Sequence, residues 1–473
     1  MGNRHNPWWV LIGSCTGLFV LMLDSTVVTL ALPAIQRDLH ASTDGLQWVQ
    51  NAYLLTIAAT VVTAGRLGDI RGRQRIFLIG MAAFAAGSVL GGAAGSEEVL
   101  IAARVVQGIG GAALLSLSLA LTCHAFPGDQ QARALGIWAA VSAIALAIGP
   151  LVGGVLIEAA SWRWIFFINV PVAAAGIVIL LLRGAESRDP DAAPRVDLAG
   201  AGVLALGLTA FVLALIEADD WGWGSLRTLA LLAFAIAVLY GFWKLEHRRA
   251  DPLVDFSLFR NRPYLGASAA AFALVGAYWT VMFFQPQFLQ LGLGYSAIAA
   301  GAMVLPITVP MAVFSPFSGG LIARLGVRAT MTTGMLIGLA GLILMALAED
   351  SGSFAALLPG FLCFGVSLAL VYAPMSTAAM AAMPAAKAGI ASGVLAMDRV
   401  LAGTVLLAIS GAVFQSKPSG DYASAVASAL IPGVIVLAIG AILTWLLVRA
   451  PATPVTPPAA ELHHHQHHRR FHL

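Results

Sequence analysis

The sequence predicts an all-α polytopic membrane protein with about fourteen transmembrane helices, arranged as two six-helix bundles plus an inserted helix pair. Three observations carry this prediction. Only 10% of the residues are charged and 59% are hydrophobic, against about 25% charged in soluble domains. So few charges cannot cover a water-facing surface, and the mean hydropathy of +0.87 agrees. The apolar runs are continuous and reach about 20 residues, the length of a helix that crosses a bilayer. Backbone groups in lipid must bond internally, which leaves helices or closed barrels. Barrel strands would alternate apolar and polar residues, and these runs do not.

The predicted spans are 8–32, 48–66, 76–95, 99–123, 133–157, 165–183, 198–217, 226–245, 264–285, 298–323, 330–348, 354–379, 388–413 and 428–449. The first is too long for a cleaved signal, has no small-residue cleavage site and contains Asp24, so it is expected to be retained. Placing the N-terminus inside puts twenty Lys and Arg residues on the cytoplasmic side and four outside, namely Arg37, Arg163, Arg227 and Lys417. That bias predicts an even number of spans, with both termini cytoplasmic, in a multi-pass cell (inner or plasma) membrane protein.

The chain divides into an N-terminal bundle over 1–183, a linker with the extra helix pair and a cytoplasmic loop over 184–263, a C-terminal bundle over 264–449, and a His-rich tail expected to be disordered over 450–473. A weak internal repeat relates the two bundles. Gly65, Leu67 and Gly72 recur at the same spacing as Gly319, Leu321 and Gly326, with Asp69 replaced by Ala323. Related halves are common in secondary transporters. The segment 183–197, with Pro190 and Pro194, reads as a polar linker. The amphipathic, basic stretch from Lys244 to Pro263 fits either an interfacial helix or a solvated linker. Cys15, Cys123 and Cys363 all lie in apolar runs and form no CxxC pair, so they read as packing residues rather than a disulfide or zinc framework. The histidines from His463 to His472 could bind metal, with an unstructured tail as the simpler reading. No metal site is predicted.

Several motifs occur in order. They are Leu23-Asp24-Ser25-Thr26-Val27-Val28 leading to Ala31-Leu32-Pro33, the stretch Gly65 to Arg75, Arg104 with Gln107-Gly108 and Gly110-Gly111-Ala112, Gly149-Pro150 with Gly153-Gly154, and Trp162 to Pro171. Together they resemble the major facilitator superfamily, and more narrowly its fourteen-span drug–proton antiporter family. The sequence departs from that pattern at Ala145, where the fifth-helix motif usually opens with glycine. It departs again around Arg399, with Ala396, Ala402 and Leu406. The resemblance implies the major facilitator fold, alternating access and a proton gradient as the energy source, without a cofactor.

Asp24 is the most informative residue. A carboxylate inside a span costs at least about 2.5–3.5 kcal/mol, so it must face water, pair with a cation or carry a proton. Alternate occupation by proton and substrate is what an antiporter needs, and the competing reading is a fixed interhelical hydrogen bond. Arg104 lies at a similar depth in span four. In the family reading it relays the protonation state of a nearby carboxyl. Asp398 and Arg399, adjacent in span thirteen, are a second proton-coupling and relay candidate, or else a polar lock between helices. Neighbours on a helix point about 100° apart, so they need not pair with each other. The stretch Gly65 to Arg75 reads as a loop that combines tight glycine turns with one acid and several arginines; its Gly65, Asp69, Gly72 and Arg73 are candidates for a cytoplasmic latch, beside the loop's plain role as a positive-inside signal. Gly149, Pro150, Gly153 and Gly154 allow close helix approach and bending, and the resemblance makes them an antiporter motif. Tyr53, Tyr278, Trp279, Tyr372 and Met375 are candidate cavity residues. Glu158 and Glu217, near span ends, are expected to be solvated. The acidic, aromatic run Glu217 to Gly224 fits an interfacial belt or a cation vestibule.

No catalytic set and no phosphate-binding loop for ATP hydrolysis occurs in the sequence, so an enzyme is not expected. The expected partners are a small-molecule substrate, protons and the lipid bilayer, with no nucleic acid, and the chain is expected to be a monomer. The leading expectation is a proton-coupled exporter of small amphipathic or cationic compounds. A specific exporter of an endogenous metabolite or antibiotic, a non-transporting membrane sensor and a nutrient symporter are the alternatives.

Overall fold

The structure is a computed structural model that describes residues 6–126, 130–188, 197–249, 252–383, 388–417 and 421–448. The histidine tail, Pro190 and Pro194 lie outside the described residues. Within them, fourteen helices are long and apolar enough to cross a membrane. The first six are α1 (Pro7–Leu39), α2 (Thr43–Arg71), α3 (Arg73–Gly92), α4 (Glu97–Ala125), α5 (Gln130–Ala159) and α6 (Trp164–Arg183). The inserted pair is α7 (Leu198–Ile216) and α8 (Leu226–His247). Next come α9 (Arg262–Gly292) and then α10 and α11, the two arms of one run, Ala297–Ala348, that breaks at Gly326. The last three are α12 (Phe354–Ala381), α13 (Ala388–Gln415) and α14 (Tyr422–Leu447).

Polar residues start the helices. Ser42, Ser96, Asp197, Ser225, Ser296 and Asp421 each accept a backbone N–H from the first turn of the helix they precede. This satisfies donors that would otherwise be orphaned near lipid. Large apolar side chains such as Leu182, Ile236, Leu347 and Leu446 stay exposed on the outside of the bundle, where lipid is their solvent.

The sequence repeat has a structural counterpart. Gly72 (φ 114°) separates α2 from α3, and Gly326 (φ 82°) separates α10 from α11. Both occupy backbone conformations that side chains other than glycine rarely adopt, so the equivalent glycine makes the equivalent turn in each half. In the first half α1 packs on α4, α5 and α6, while α4 also packs on α2 and α3. In the second half α9 packs on α12, α13 and α14, and α12 lies against the α10–α11 run. The halves meet where α5 crosses α10 and where α2 crosses α13, and α7 lies against both α2 and α13.

Three sequence expectations are corrected in detail. The stretch Gly65 to Arg75 is helical except at Gly72. Gly65 makes no turn and faces Ser116 of α4. For the stretch from Lys244 to Pro263, the interfacial-helix alternative gives way: between α8 and α9 its described residues hold a short 3-10 turn, Phe256–Arg260, and no longer helix. It is pinned by the buried Glu246, which accepts the backbone N–H groups of Leu253 and Val254. The segment after α6 is more than a linker, because Glu186 accepts the N–H groups of Gln74 (3.0 Å) and Arg75 (3.1 Å) and so caps the start of α3.

Candidate functional site

The run Asp24-Ser25-Thr26 puts three polar residues in the middle of α1. Two of them satisfy themselves locally, Ser25 donating to the Leu21 carbonyl (2.7 Å) and Thr26 to that of Leu23 (3.1 Å). Such back-bonding removes a hydroxyl from competition for tertiary partners. Only Asp24 must reach other helices.

It does so completely. Asp24 and Arg104 have no solvent exposure, and Arg104 Nη1 lies 2.5 Å from Asp24 Oδ2. The other carboxylate oxygen accepts from Gln107 Nε2 (3.1 Å) and Asn169 Nδ2 (3.0 Å). Gln107 also donates to Ser88 Oγ (2.9 Å) and accepts from Arg104 (2.8 Å). The Arg104 Nε donates to the Val49 carbonyl (3.1 Å), and its guanidinium lies 3.9 Å from the centre of the Tyr53 ring. One ion pair thus ties together α1, α2, α3, α4 and α6. Leaving either charge alone in this low-dielectric site would cost several kcal/mol. Gly87 on α3 makes room for Gln107, since a Cβ there would lie 2.7 Å from the Gln107 backbone nitrogen.

A cavity of about 120 Å³ opens between the two halves. Tyr53, Tyr278, Trp279, Tyr372 and Arg399 line it, among apolar side chains such as Leu54 and Met311. Met375, expected to face this space, is instead fully buried in the core and is not part of the lining. Tyr53 has two roles: one surface stacks on Arg104 and another faces the cavity. The hydroxyl of Tyr278 is buried without a hydrogen-bond partner.

Asp398 and Arg399 turn away from each other. Asp398 accepts from Ser268 Oγ of α9 (2.8 Å), whereas Arg399 donates to Ser376 Oγ of α12 (2.5 Å) with the Tyr372 ring centre 5.0 Å away. Asp398 is not among the cavity residues, and Arg399 is.

On the face that carries the N-terminus, Asp69 and Arg73 meet at 2.8 Å, both in the first half. The opposite, far face holds the hydrogen bonds that join the halves. Gln415 Nε2 donates to Asp44 (2.5 Å), the Ile298 N–H to Glu158 (2.7 Å), and Gln290 Nε2 to the Leu30 carbonyl (2.9 Å). Glu158, expected only to be solvated, thus caps the helix start of the other half. Beside it the glycine motif of α5 sets the helix spacing. A Cβ on Gly149 would collide with Thr26 of α1, one on Gly153 would lie 3.3 Å from Val27, and one on Gly154 would lie 2.6 Å from the Ala297 carbonyl of α10. The Pro150 carbonyl in turn crowds Gly301 of α10. Outside the spans, burial and the neighbouring Asp44 and Asp220 carboxylates raise the Glu217 carboxyl above its usual range.

Sequence reasoning did not single out Gln107, Asn169 and Ser88 as site residues. Gln107 and Asn169 stand within the motifs around Arg104 and Trp162, whereas the signal for Ser88 is that it is a hydrogen-bonding residue inside an apolar helix, where it needs a partner.

Comparison with known proteins agrees with this architecture. The sequence pattern of the Major Facilitator Superfamily matches residues 14–407. The chain is 38% identical over 407 residues to the multidrug resistance protein Stp of Mycobacterium tuberculosis, covering 86% of this chain and 75% of that one. It is 35% identical over 433 residues to the tetracenomycin C resistance and export protein of Streptomyces glaucescens, covering 92% and 80%. The crystal structure of a D-xylose–proton symporter superposes with a TM-score of 0.68 at 14% identity, over 94% of this chain and 98% of that one, which speaks to the fold alone. The chain therefore belongs to the Major Facilitator Superfamily and is a multi-pass membrane transporter.

Proposed function

We propose that this transporter is a proton-coupled exporter of small amphipathic compounds that works by alternating access. The observation that carries the reading is the buried Asp24–Arg104 pair, joined to the central cavity through the single side chain of Tyr53. A proton on Asp24 cancels the charge that Arg104 pairs with. Arg104 must then find other acceptors, and the Tyr53 ring stacked on it moves with it. A substrate in the cavity pushes on the same ring from the other side. Proton and substrate thereby bias one two-state element, which is the physical requirement for coupling.

The bundles over 1–183 and 264–449 would rock against each other, with the segment 184–263 beside them. The far-face bonds at Asp44, Glu158 and Gln290 would hold the outside shut in this state, with both termini cytoplasmic. The Asp69–Arg73 pair, whose partners lie in one half, would be free to latch the cytoplasmic side in the other state. The glycines of α5 would form the far-face contact surface, with Asp398 as a second proton site and the protein acting as a monomer. Export as the direction is supported by the relatives named for multidrug resistance and antibiotic export. The tetracenomycin C relative favours a second reading, a specific exporter of one endogenous metabolite or antibiotic.

The test is uptake of cationic, neutral and anionic amphipathic dyes into inverted vesicles with an imposed proton gradient. Uptake that an uncoupler and Asp24→Asn both abolish is expected. Uptake of every transported dye that survives the uncoupler would remove the proton from the mechanism.

A further inference from the structure

Among the described residues, Arg399 is the one charged side chain that lines the cavity. It makes no ion pair with any described residue, and its Nε is buried without a hydrogen-bond partner. Neither nearby acid pairs with it directly: Asp24 is already paired with Arg104, and Asp398, one residue away on the helix, feels the Arg399 charge through space but is bonded to Ser268 on α9. A guanidinium at membrane depth without a direct ion pair costs free energy, and such residues mark substrate paths. A second polar side chain of the lining, Tyr278, also has its hydroxyl buried without a partner. Arg399 and Tyr278 therefore bring two unpartnered donors to one cavity, and among the described residues no carboxylate lines it. A cationic ligand would meet like charge there, whereas a carboxylate or phenolate would give Arg399 a charge-assisted hydrogen bond. The rest of the wall, with Tyr53, Tyr278, Trp279 and Tyr372, is aromatic and suited to a flat ring.

The geometry points to an anion subsite at Arg399, so that the cavity binds an aromatic or amphipathic acid with its carboxylate or phenolate on the guanidinium and its ring between the tyrosines and Trp279. This rests on reading the cavity as the transport site and adds to it the sign of the substrate's charge. Substrate entry would also draw Arg399 toward the cavity centre and away from Ser376, which couples α13 to α12.

The test uses two dyes on one xanthene core, anionic fluorescein and cationic rhodamine 123. Their binding to the full-length protein in nanodiscs of neutral lipid is followed by dye anisotropy. The expected result is that fluorescein binds at least about tenfold more tightly than rhodamine 123. The preference should disappear in Arg399→Gln and largely persist in Arg399→Lys, which keeps the charge but loses the planar fork. Rhodamine 123 binding as well as fluorescein, no fluorescein binding to the wild type, or equal fluorescein binding by wild type and a folded Arg399→Gln variant would each overturn the subsite. If Arg399→Gln does not fold, the wild-type preference and Arg399→Lys still decide the matter. Failure of the export reading looks different: no dye of any charge would move with the proton gradient, whatever its binding.

Discussion

Asp24 and Arg104 meet at 2.5 Å with neither side chain exposed to solvent, and the carboxylate is completed by Gln107, on the same helix as Arg104, and by Asn169 of α6. A site with this many satisfied bonds could be purely architectural. Neutralising it without changing its shape separates the two roles. Asp24→Asn keeps the size and some acceptor capacity but leaves the Arg104 charge uncompensated, at a cost bounded by the roughly 3–5 kcal/mol of a broken buried pair. The expected outcome is a folded, less stable protein whose proton-driven uptake falls by about tenfold or more, a barrier change above about 1.4 kcal/mol. Vesicle transport together with thermal unfolding of the purified variant checks it. A variant that is destabilised yet still pumps at the wild-type rate would make the pair structural.

Tyr53 is predicted to act through its ring rather than its hydroxyl in holding Arg104. The bonds of Arg104 go to Val49, Asp24 and Gln107 and not to this hydroxyl, so Tyr53→Phe should change stability by less than about 0.5 kcal/mol. Tyr53→Leu removes the surface that stacks on the guanidinium and should cost about 0.5–2 kcal/mol. If the ring also links cavity to ion pair, Tyr53→Leu should leave dye binding measurable while lowering coupled transport, and Tyr53→Phe should spare the coupling. Parallel binding and transport assays on the two variants give the answer.

The α5 glycines form a contact surface rather than a hinge alone. A methyl group on Gly154 would lie 2.6 Å from the Ala297 carbonyl and 2.7 Å from the Ile298 Cα, both of them backbone atoms that cannot rotate away. Gly154→Ala should therefore wedge α5 from α10 and break the Glu158 bond to the Ile298 N–H. The expected result is a protein that inserts normally, loses transport, and shows greater outer-side labelling of a cysteine placed at Gln290. Unchanged labelling with full activity would show that the halves do not close along this line.

How much of this was legible in the sequence depends on what a one-dimensional pattern encodes. Depth along a helix can be counted from the chain, which is why Asp24 and Arg104 could be matched in level before any contact was known. The direction a side chain takes around its helix depends on which neighbours pack there. Asp398 and Arg399, one residue apart, consequently went to different helices, and Met375 turned into the core while Tyr372 faced the cavity. The uncharged partners Gln107 and Asn169 lie within sequence motifs but, like Ser88, give no sign of their role, because a single amide or hydroxyl in an apolar run is also compatible with local bonding to its own helix. Glycine was read too simply as a turn at Gly65, where the helix continues and the missing side chain serves packing on α4. Gly72 and Gly326 did fit that reading, because their positive φ angles admit little else.

The cap on α3 is a prediction that sequence alone would not have raised. Glu186 accepts two backbone N–H groups at the helix start, where the helix dipole also favours negative charge. Glu186→Ala should lower stability by about 0.5–2 kcal/mol and loosen the turn at Gly72. Hydrogen exchange at Gln74 and Arg75 should rise while exchange within α9 stays unchanged. Protection at those two amides as high as in the wild type would assign the cap to some other group.

Glu217 supplies a pH dependence whose sign can be worked out. Its carboxyl is raised by burial first and by the Asp44 and Asp220 carboxylates second. A carboxyl that ionises less readily in the folded protein than in the unfolded chain favours the fold while protonated and opposes it once charged. That contribution is intact below the ordinary glutamate value of about 4.3 and is lost as the pH rises through the raised value. Glu217→Gln cannot acquire the charge. The variant and wild type should therefore unfold at similar temperatures near pH 4, and the variant should be the more stable by a few degrees near pH 8. A stability difference that is constant across this range, or that favours the wild type at high pH, would mean that Glu217 gains a favourable partner when ionised. The acidic cluster at the far face would then be a cation-binding surface rather than a set of repelling charges.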